Sequence, residues 1–204
     1  MLTELKTAED IRAHYAEPHA LAKNKELRRL DQHCRQFISL APFVVISTSD
    51  ASGRCDVTPR GDAPGFVAVV DDRTLLIPDR TGNNRVDTML NIAENPHVGL
   101  LFLVPGMAET LRVNGRATIT IDPAILGPLA VDGKPPRAAI RVDIEEVYFQ
   151  CGKALMRSEL WNGEKHVPRE RFAPFGQIFS EHSKTQYDPA IEAMLDEEYR
   201  TNLY

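Results

Sequence analysis

Apolar positions along this chain change period several times, and each change marks an element. Over residues 7–40 the spacing is helical. TAEDIRAHYAE opens with a Thr cap and an acidic first turn, and LRRLDQHCRQFISLA sets Leu27, Leu30, Cys34, Phe37 and Ile38 near one stripe. Helix is predicted to stop before Pro42, because the residue preceding a proline avoids the α region. FVVIST (43–48) then reads as a strand, SDASG as a turn and RCDVTP (54–59) as a second, weakly alternating strand, which together predict a hairpin. GFVAVVDDRTLLIPD predicts a further pair turning at Asp71 and Asp72. Helical spacing returns in VDTMLNIAEN, with Val86, Met89, Leu90 and Ala93 on one face and Asn83 or Asn84 as N-cap.

HVGLLFLV (97–104) is a fully apolar strand. ETLRVNGRATITID follows, where Asn114-Gly115 is either a tight hairpin turn or a bulge within one long strand. PAILGPLAVDGKPP mixes a short helix with loop. AAIRVDIEEVYFQ alternates Ile140, Val142 and Ile144 against Arg141, Asp143 and Glu145, one more strand with one face exposed. CGKALMRSELW reads as a turn and short helix, WNGEKHVPRERFAPFG as a Pro/Gly loop, and DPAIEAMLDEEYRTNLY as a closing amphipathic helix. Six or seven strands with one internal helix favour an antiparallel barrel, since each parallel crossover needs a helix of its own.

Composition narrows the function classes. A chain of 204 residues with 43% hydrophobic content can bury one core, and its net charge of −5, without a basic run or aromatic stripe, argues against general nucleic-acid affinity. No apolar stretch is long enough for a membrane span and the first residues lack a signal-peptide pattern, so the cytoplasm is the expected location. Cys34, Cys55 and Cys151, odd in number and far apart, are expected as free thiols.

Local chemistry concentrates between Val57 and Asp87. Two loops, VTPRGDAPG and PDRTGNNRVD, leave successive strand-like runs and carry Arg60, Arg80 and Arg85 among turn-forming residues. Guanidinium pairs with phosphate oxygens in a bidentate way, and a helix starting after Asn84 adds unpaired N–H groups and partial positive charge. Asp62 in the first loop either orients Arg60 or makes an Asx turn. GxGxxG, GxxxxGK[ST], HExxH and GxSxG are all missing. The six histidines show no ligand spacing, so no metal is expected, and Cys34 on an apolar stripe is a core residue rather than a nucleophile.

Three blocks in order, Pro59 to Asp62, Pro78 to Asp87, and Cys151 to Trp161 with Lys153, Ala154, Leu155, Arg157, Ser158 and Leu160 in place, make this sequence similar to the pyridoxamine 5'-phosphate oxidase-like, FMN-binding split-barrel family, specifically an uncharacterised bacterial branch. The resemblance runs from about Phe37 to Phe175. It implies a six-stranded antiparallel split barrel with flanking helices, a homodimer, and FMN in the cleft between subunits. It further implies that Arg60, Arg80, Asn83 or Asn84, and Arg85 contact the phosphate and ribityl chain, and that Glu109, Thr110 and Arg112 lie near the flavin ring. Lys153, Arg157, Ser158 and Trp161 would come from the partner subunit or line the far side of the cleft. Trp161 reads equally as a core anchor.

The expected organisation is an N-terminal helical segment over 1–40, the FMN-binding barrel over 41–150, and a C-terminal loop and helix over 151–204 completing the cleft. The basic substrate-phosphate pair and closing strand of vitamin B6 oxidases are not recognisable, so the implied activity is FMN-dependent oxidation or reduction of some other small molecule. A flavin- or haem-binding module without turnover and a deazaflavin-dependent reductase are the alternatives.

Overall fold

Seven strands form one antiparallel sheet in the order β2-β1-β5-β6-β7-β4-β3 in the computed structural model, which describes residues 4–19 and 24–203. They are β1 (Phe43–Ser49), β2 (Cys55–Gly61), β3 (Ala68–Val69), β4 (Thr74–Asp79), β5 (His97–Leu103), β6 (Thr110–Thr120) and β7 (Ala138–Gln150). This is the antiparallel split barrel the sequence predicts. The added seventh strand is the two-residue β3, and the sheet stays open because its edges β2 and β3 do not pair.

Helix is less extensive at the N-terminus than the periodicity predicts. α1 spans Ala8–His14, capped by Thr7 as expected, and α2 spans Gln32–Leu40. Asp31 begins α2 by accepting from the Cys34 N–H at 2.8 Å. Leu27 is therefore outside the helix. It instead exchanges two backbone hydrogen bonds with Val147, covering the stretch of β7 beyond the reach of β4. Residues 20–23 of the predicted helical stretch lie outside the described residues.

Cys34, Phe37 and Ile38 of α2 close the core, which also takes the inward side chains Val44, Ile46, Leu100, Phe102, Val113, Ile140 and Val142. Each such buried side chain contributes about 1.5–3 kcal/mol relative to exposure. Burial pushes the Cys34 thiol up to about 12, which keeps it a neutral core group.

The Asn114-Gly115 pair lies at a bulge within one long strand, and the extra residue belongs to the facing chain. Asn114 pairs with Glu146 and Gly115 with Ile144, leaving Glu145 unmatched. Beyond it the inward phase of β7 moves by one residue, so Val147 is buried like Ile144 before it. Gly115 is required there, since a Cβ would collide with the carbonyl oxygen of Asp143.

β4 is buried on both faces. Leu75 and Ile77 enter the main core, whereas Leu76 joins Leu126, Leu129 and Ala139 in a second cluster roofed by the short helix α3 (Pro123–Leu126) and the turn after it. Two ion pairs then tie β2 to β4, which stand five places apart in the sheet. Arg60 near the end of β2 donates to Asp79 at the end of β4 at 2.5 Å, and Arg80 just after β4 donates to Asp62 just after β2 at 2.8 Å. The sheet must curl back on itself for these four residues to meet.

Two stability outcomes follow from the bulge and the crossed pairs. Gly115→Ala is expected to cost about 3 kcal/mol, the upper range for overpacking, whereas Gly53→Ala, at φ +84° with open space around it, costs about 1 kcal/mol. Urea unfolding checks the ranking, and equal costs would show that the bulge relaxes around a methyl group. Asp62→Ala takes the carboxylate from the half-buried Arg80 guanidinium, so a loss of about 3 kcal/mol is expected, mostly recovered in Asp62→Leu/Arg80→Met. A single-variant loss below about 1 kcal/mol would place this pair with ordinary surface pairs.

Candidate functional site

β2 carries polar side chains at positions that turn inward. Opposite β1 the outward set is Val57, Pro59 and Gly61, leaving Asp56, Thr58 and Arg60 half-buried on the inner side. Where a barrel strand would place core, this one borders a cavity. The cavity has a volume of about 340 Å3 and is lined by Thr58, Arg60, Phe66, Asp79, Arg80, Met89, Arg137 and the loop 81–86.

Four guanidinium groups face this space, each oriented by an acceptor. Arg60 is held by Asp79, Arg80 by Asp62 and by the Leu129 carbonyl at 2.8 Å, Arg85 by Asp87 at 2.8 Å, and Arg137 by the Asn84 side-chain oxygen at 2.7 Å. Asp62 thus orients Arg80, while Asp79 is the carboxylate that orients Arg60. Asp62 also accepts from the Ala63 N–H at 2.7 Å. A guanidinium has five donors and these bonds use only some of them. The Arg60 Nε–H is buried and has no acceptor among the described residues. Asp79 is the one carboxylate in the lining, and with Asp62 and Asp87 paired to lining arginines from outside it the four guanidiniums still leave net positive charge, so the cavity suits an anion.

The loop over 81–86 reaches its shape at a backbone cost. Asn83 accepts from the Arg85 N–H at 3.1 Å, which turns the chain ahead of the helix. Asn84 and Val86 both adopt the left-handed region, at φ 58° and 51°. That region is unusual for a β-branched residue and costs about 1–3 kcal/mol. α4 (Asp87–Glu94) therefore begins after Val86, which offers no side-chain cap, so neither asparagine is the N-cap. The buried face of α4 is Thr88 and Ile92 with Met89 beside them, while Leu90 and Val86 are exposed. The helix approaches the barrel about one position round from the predicted stripe.

The remaining predicted site residues form a second group. Arg112 lies in the cross-strand row Pro59, Val45, Leu101, Arg112, Tyr148 on the outer face of the sheet, three strand spacings from Pro59, or about 14 Å. Its guanidinium carbon sits 5.5 Å from the Tyr148 ring centroid, and Lys25 stacks on the same ring at 4.8 Å. Thr110 is buried at the start of β6, donating to Gln150 at 3.4 Å, next to exposed Glu109. Lys153, Arg157 and Ser158 lie on α5 (Lys153–Ser158), and Ser158 bonds back to the Leu155 carbonyl at 3.1 Å. Trp161 donates its indole N–H to the Met107 carbonyl at 2.7 Å, anchoring this segment to the β5–β6 turn. One chain thus gathers Arg60, Arg80, Asn83, Asn84 and Arg85 around the cavity, and sets the other seven around the β5–β6 turn and the outer face.

Arg137 and Asp79 are the cavity residues that sequence reasoning missed. Asp79 stands in the PDR block beside Arg80. Arg137 comes from GKPPRAAI and reaches the cavity only because β7 pairs its first residue, Ala138, with Asp79, a register with no local signal.

Among the described residues no cluster of His, Cys, Asp and Glu is arranged to hold a metal ion, Cys34, Cys55 and Cys151 are all free, and no helix is long and apolar enough to cross a membrane.

No curated protein matches the sequence. Among solved structures, HupZ of Group A Streptococcus is 20% identical over 58% of this chain and 91% of its own, with a TM-score of 0.49. A candidate pyridoxamine 5'-phosphate oxidase of Lactobacillus delbrueckii is 24% identical over 61% and 98%, with a TM-score of 0.48. General Stress Protein 26 of Bacillus anthracis is 16% identical over 58% and 94%, with a TM-score of 0.43. The family model described as pyridoxamine 5'-phosphate oxidase matches residues 30–151, a span that contains every barrel strand and the whole arginine cavity, and the chain therefore belongs to that family.

Proposed function

We propose that this protein is an FMN-dependent oxidoreductase, a homodimeric flavoprotein that passes a hydride or electrons between a small organic molecule and an acceptor. The observation that carries the reading is the cavity ringed by Arg60, Arg80, Arg85 and Arg137, whose guanidiniums are oriented by their own acceptors. The buried Arg60 Nε–H lacks an acceptor among the described residues, and a phosphate oxygen is an acceptor of the right charge. The residues present fit a flavin mononucleotide, whose one terminal phosphate matches one arginine cluster.

Arg60, Arg80 and Arg85, with Asn83 and Asn84, would hold the phosphate and ribityl chain. Bound flavin supplies the hydride- and electron-transfer chemistry itself. The protein's part is to bind, orient and shield, and no side chain is assigned as nucleophile or proton donor. Glu109, Thr110, Arg112, Lys153, Arg157, Ser158 and Trp161 would complete the cleft from a second copy, since within one chain Arg112 faces outward, away from the cavity.

The outer sheet face supports that pairing. Antiparallel strands with one solvated face alternate apolar with polar residues. β5 is instead apolar on both sides, with Val98, Leu100 and Phe102 inward and Leu101 and Leu103 outward. Outward Leu76 of β4 is buried under Leu126 and Leu129, whereas Leu101, beside Val45 and Pro59, is half-buried. A second copy on this face would bury them. Free thiols suit the reducing cytoplasm.

Purified protein is expected to be yellow and to release FMN, rather than FAD, on denaturation. A released deazaflavin or haem would move the reading to one of those cofactors. Colourless protein whose spectrum does not respond to excess FMN would overturn a flavin role.

Arg85→Ala should weaken FMN binding about ten- to a hundredfold, the loss of one charge-assisted contact of about 1.5–3 kcal/mol. Arg141→Ala, an exposed β7 control paired with Asp143, should leave affinity unchanged. Fluorescence titration of both folded variants checks this, and equal affinities would remove Arg85 from the site.

A further inference from the structure

Arg137 reaches the cavity from a segment whose backbone is pinned at several points. The Leu129 carbonyl accepts from Arg80 at 2.8 Å. Val131 and Lys134 exchange backbone hydrogen bonds of 3.0 and 2.9 Å around a turn in which Asp132 and Gly133 adopt φ 50° and 76°. Pro135 and Pro136 fix their own φ, Pro136 is buried, and Ala138 already pairs with Asp79. Arg137 therefore extends from a rigid frame.

The loop it meets has no such frame of its own. Residues 81–86 lie outside strand and helix, and the two left-handed residues, Asn84 and Val86, stand one on each side of Arg85. Asparagine tolerates that region through its short polar side chain, whereas a β-branched valine does not. The Val86 carbonyl accepts from the N–H groups of Met89 and Leu90 at 2.9 and 3.0 Å, so the direction in which α4 starts follows Val86. The bonds from Arg85 to Asn83 and to Asp87 each span two residues. Among the described residues, the 2.7 Å bond from Arg137 to the Asn84 side-chain oxygen is the hydrogen bond that ties 81–86 to a distant part of the chain, 53 residues away.

We infer that Arg137 is a positioning residue of the anion site. By holding Asn84 in its left-handed conformation it aims Arg85 and the start of α4 at the cavity, and it acts on a bound phosphate through Asn84 rather than by touching it. The inference rests on the FMN reading above. Arg137 is exposed whereas Arg60 and Arg80 are half-buried, which sets it at the rim of the cavity, and its donor is engaged by Asn84 at a charge-assisted distance. A permanently charged, planar guanidinium suits the bracing of a loop that local bonds leave under strain.

FMN titration of four proteins tests the inference as a double-mutant cycle: wild type, Arg137→Ala, Asn84→Gly and the double variant. Glycine keeps the left-handed conformation but offers no acceptor. Arg137→Ala should weaken FMN binding about tenfold in the wild-type background and less than about twofold in the Asn84→Gly background. In ligand-free protein, hydrogen exchange of residues 83–88 should be faster in Arg137→Ala while that of β6 is unchanged. Equal losses of affinity in both backgrounds would make Arg137 a direct phosphate contact and overturn the inference. Unaltered exchange across 83–88, or faster exchange throughout the barrel, overturns it as well. Wild-type protein that binds no FMN removes the flavin reading, and the exchange result then decides the positioning role by itself.

Discussion

Two crossed guanidinium–carboxylate pairs hold the barrel in its curled form and shape its cavity at the same time. Arg60 with Asp79 and Arg80 with Asp62 join strands that the ladder itself leaves far apart. An antiparallel ladder fixes neighbours only, and nothing in the backbone hydrogen bonds of β2 requires it to approach β4. Buried pairs of this kind contribute little net stability against an apolar replacement, yet losing one partner is costly because the other charge stays buried. Their value here is positional. The carboxylates fix where the Arg60 and Arg80 guanidiniums sit in the cavity wall.

The neighbouring loop shows the same trade of stability for position. Two non-glycine residues, Asn84 and Val86, sit in the left-handed region, and Val86 begins α4 without a side-chain cap. Strain of this sort persists only where the surroundings over-determine it. Here they do, through Asn83 to the Arg85 N–H, Arg85 to Asp87 and Arg137 to Asn84. The result sets the start of α4 beside the cavity. Stability is drawn from elsewhere, from the α2 cap at Asp31 and from a core in which both faces of β4 are buried.

The chain covers parts of its own sheet. It roofs the outside of β4 with 123–129 and the free stretch of β7 with Leu27, while outward Leu101 and Leu103 of β5 stay half-buried and Phe172, Phe175 and Phe179 are exposed. Residues such as Arg112 and Tyr148 lie on the same sheet face as Leu101.

The sequence by itself determined the strands, the antiparallel class and the first arginine cluster, because these depend on short-range periodicity and on residues within one or two loops. Period-2 alternation located β7 and short apolar runs located β1 and β5, and the PRGD and PDRTGNNRVD blocks located Arg60, Arg80 and Arg85 where the cavity contains them. Tertiary structure alone decided the rest. Leu27 has helical spacing, but pairing with Val147 makes it extended. Asn114-Gly115 is compatible with a turn or a bulge until the facing strand shows that Glu145 is the extra residue. Asp62 pairs with Arg80, and Arg137 enters the cavity through the register of β7 on β4, contacts separated by 18 and 53 residues in the chain. Local pattern sets which face a residue presents, but which partner it finds depends on how distant strands are brought together.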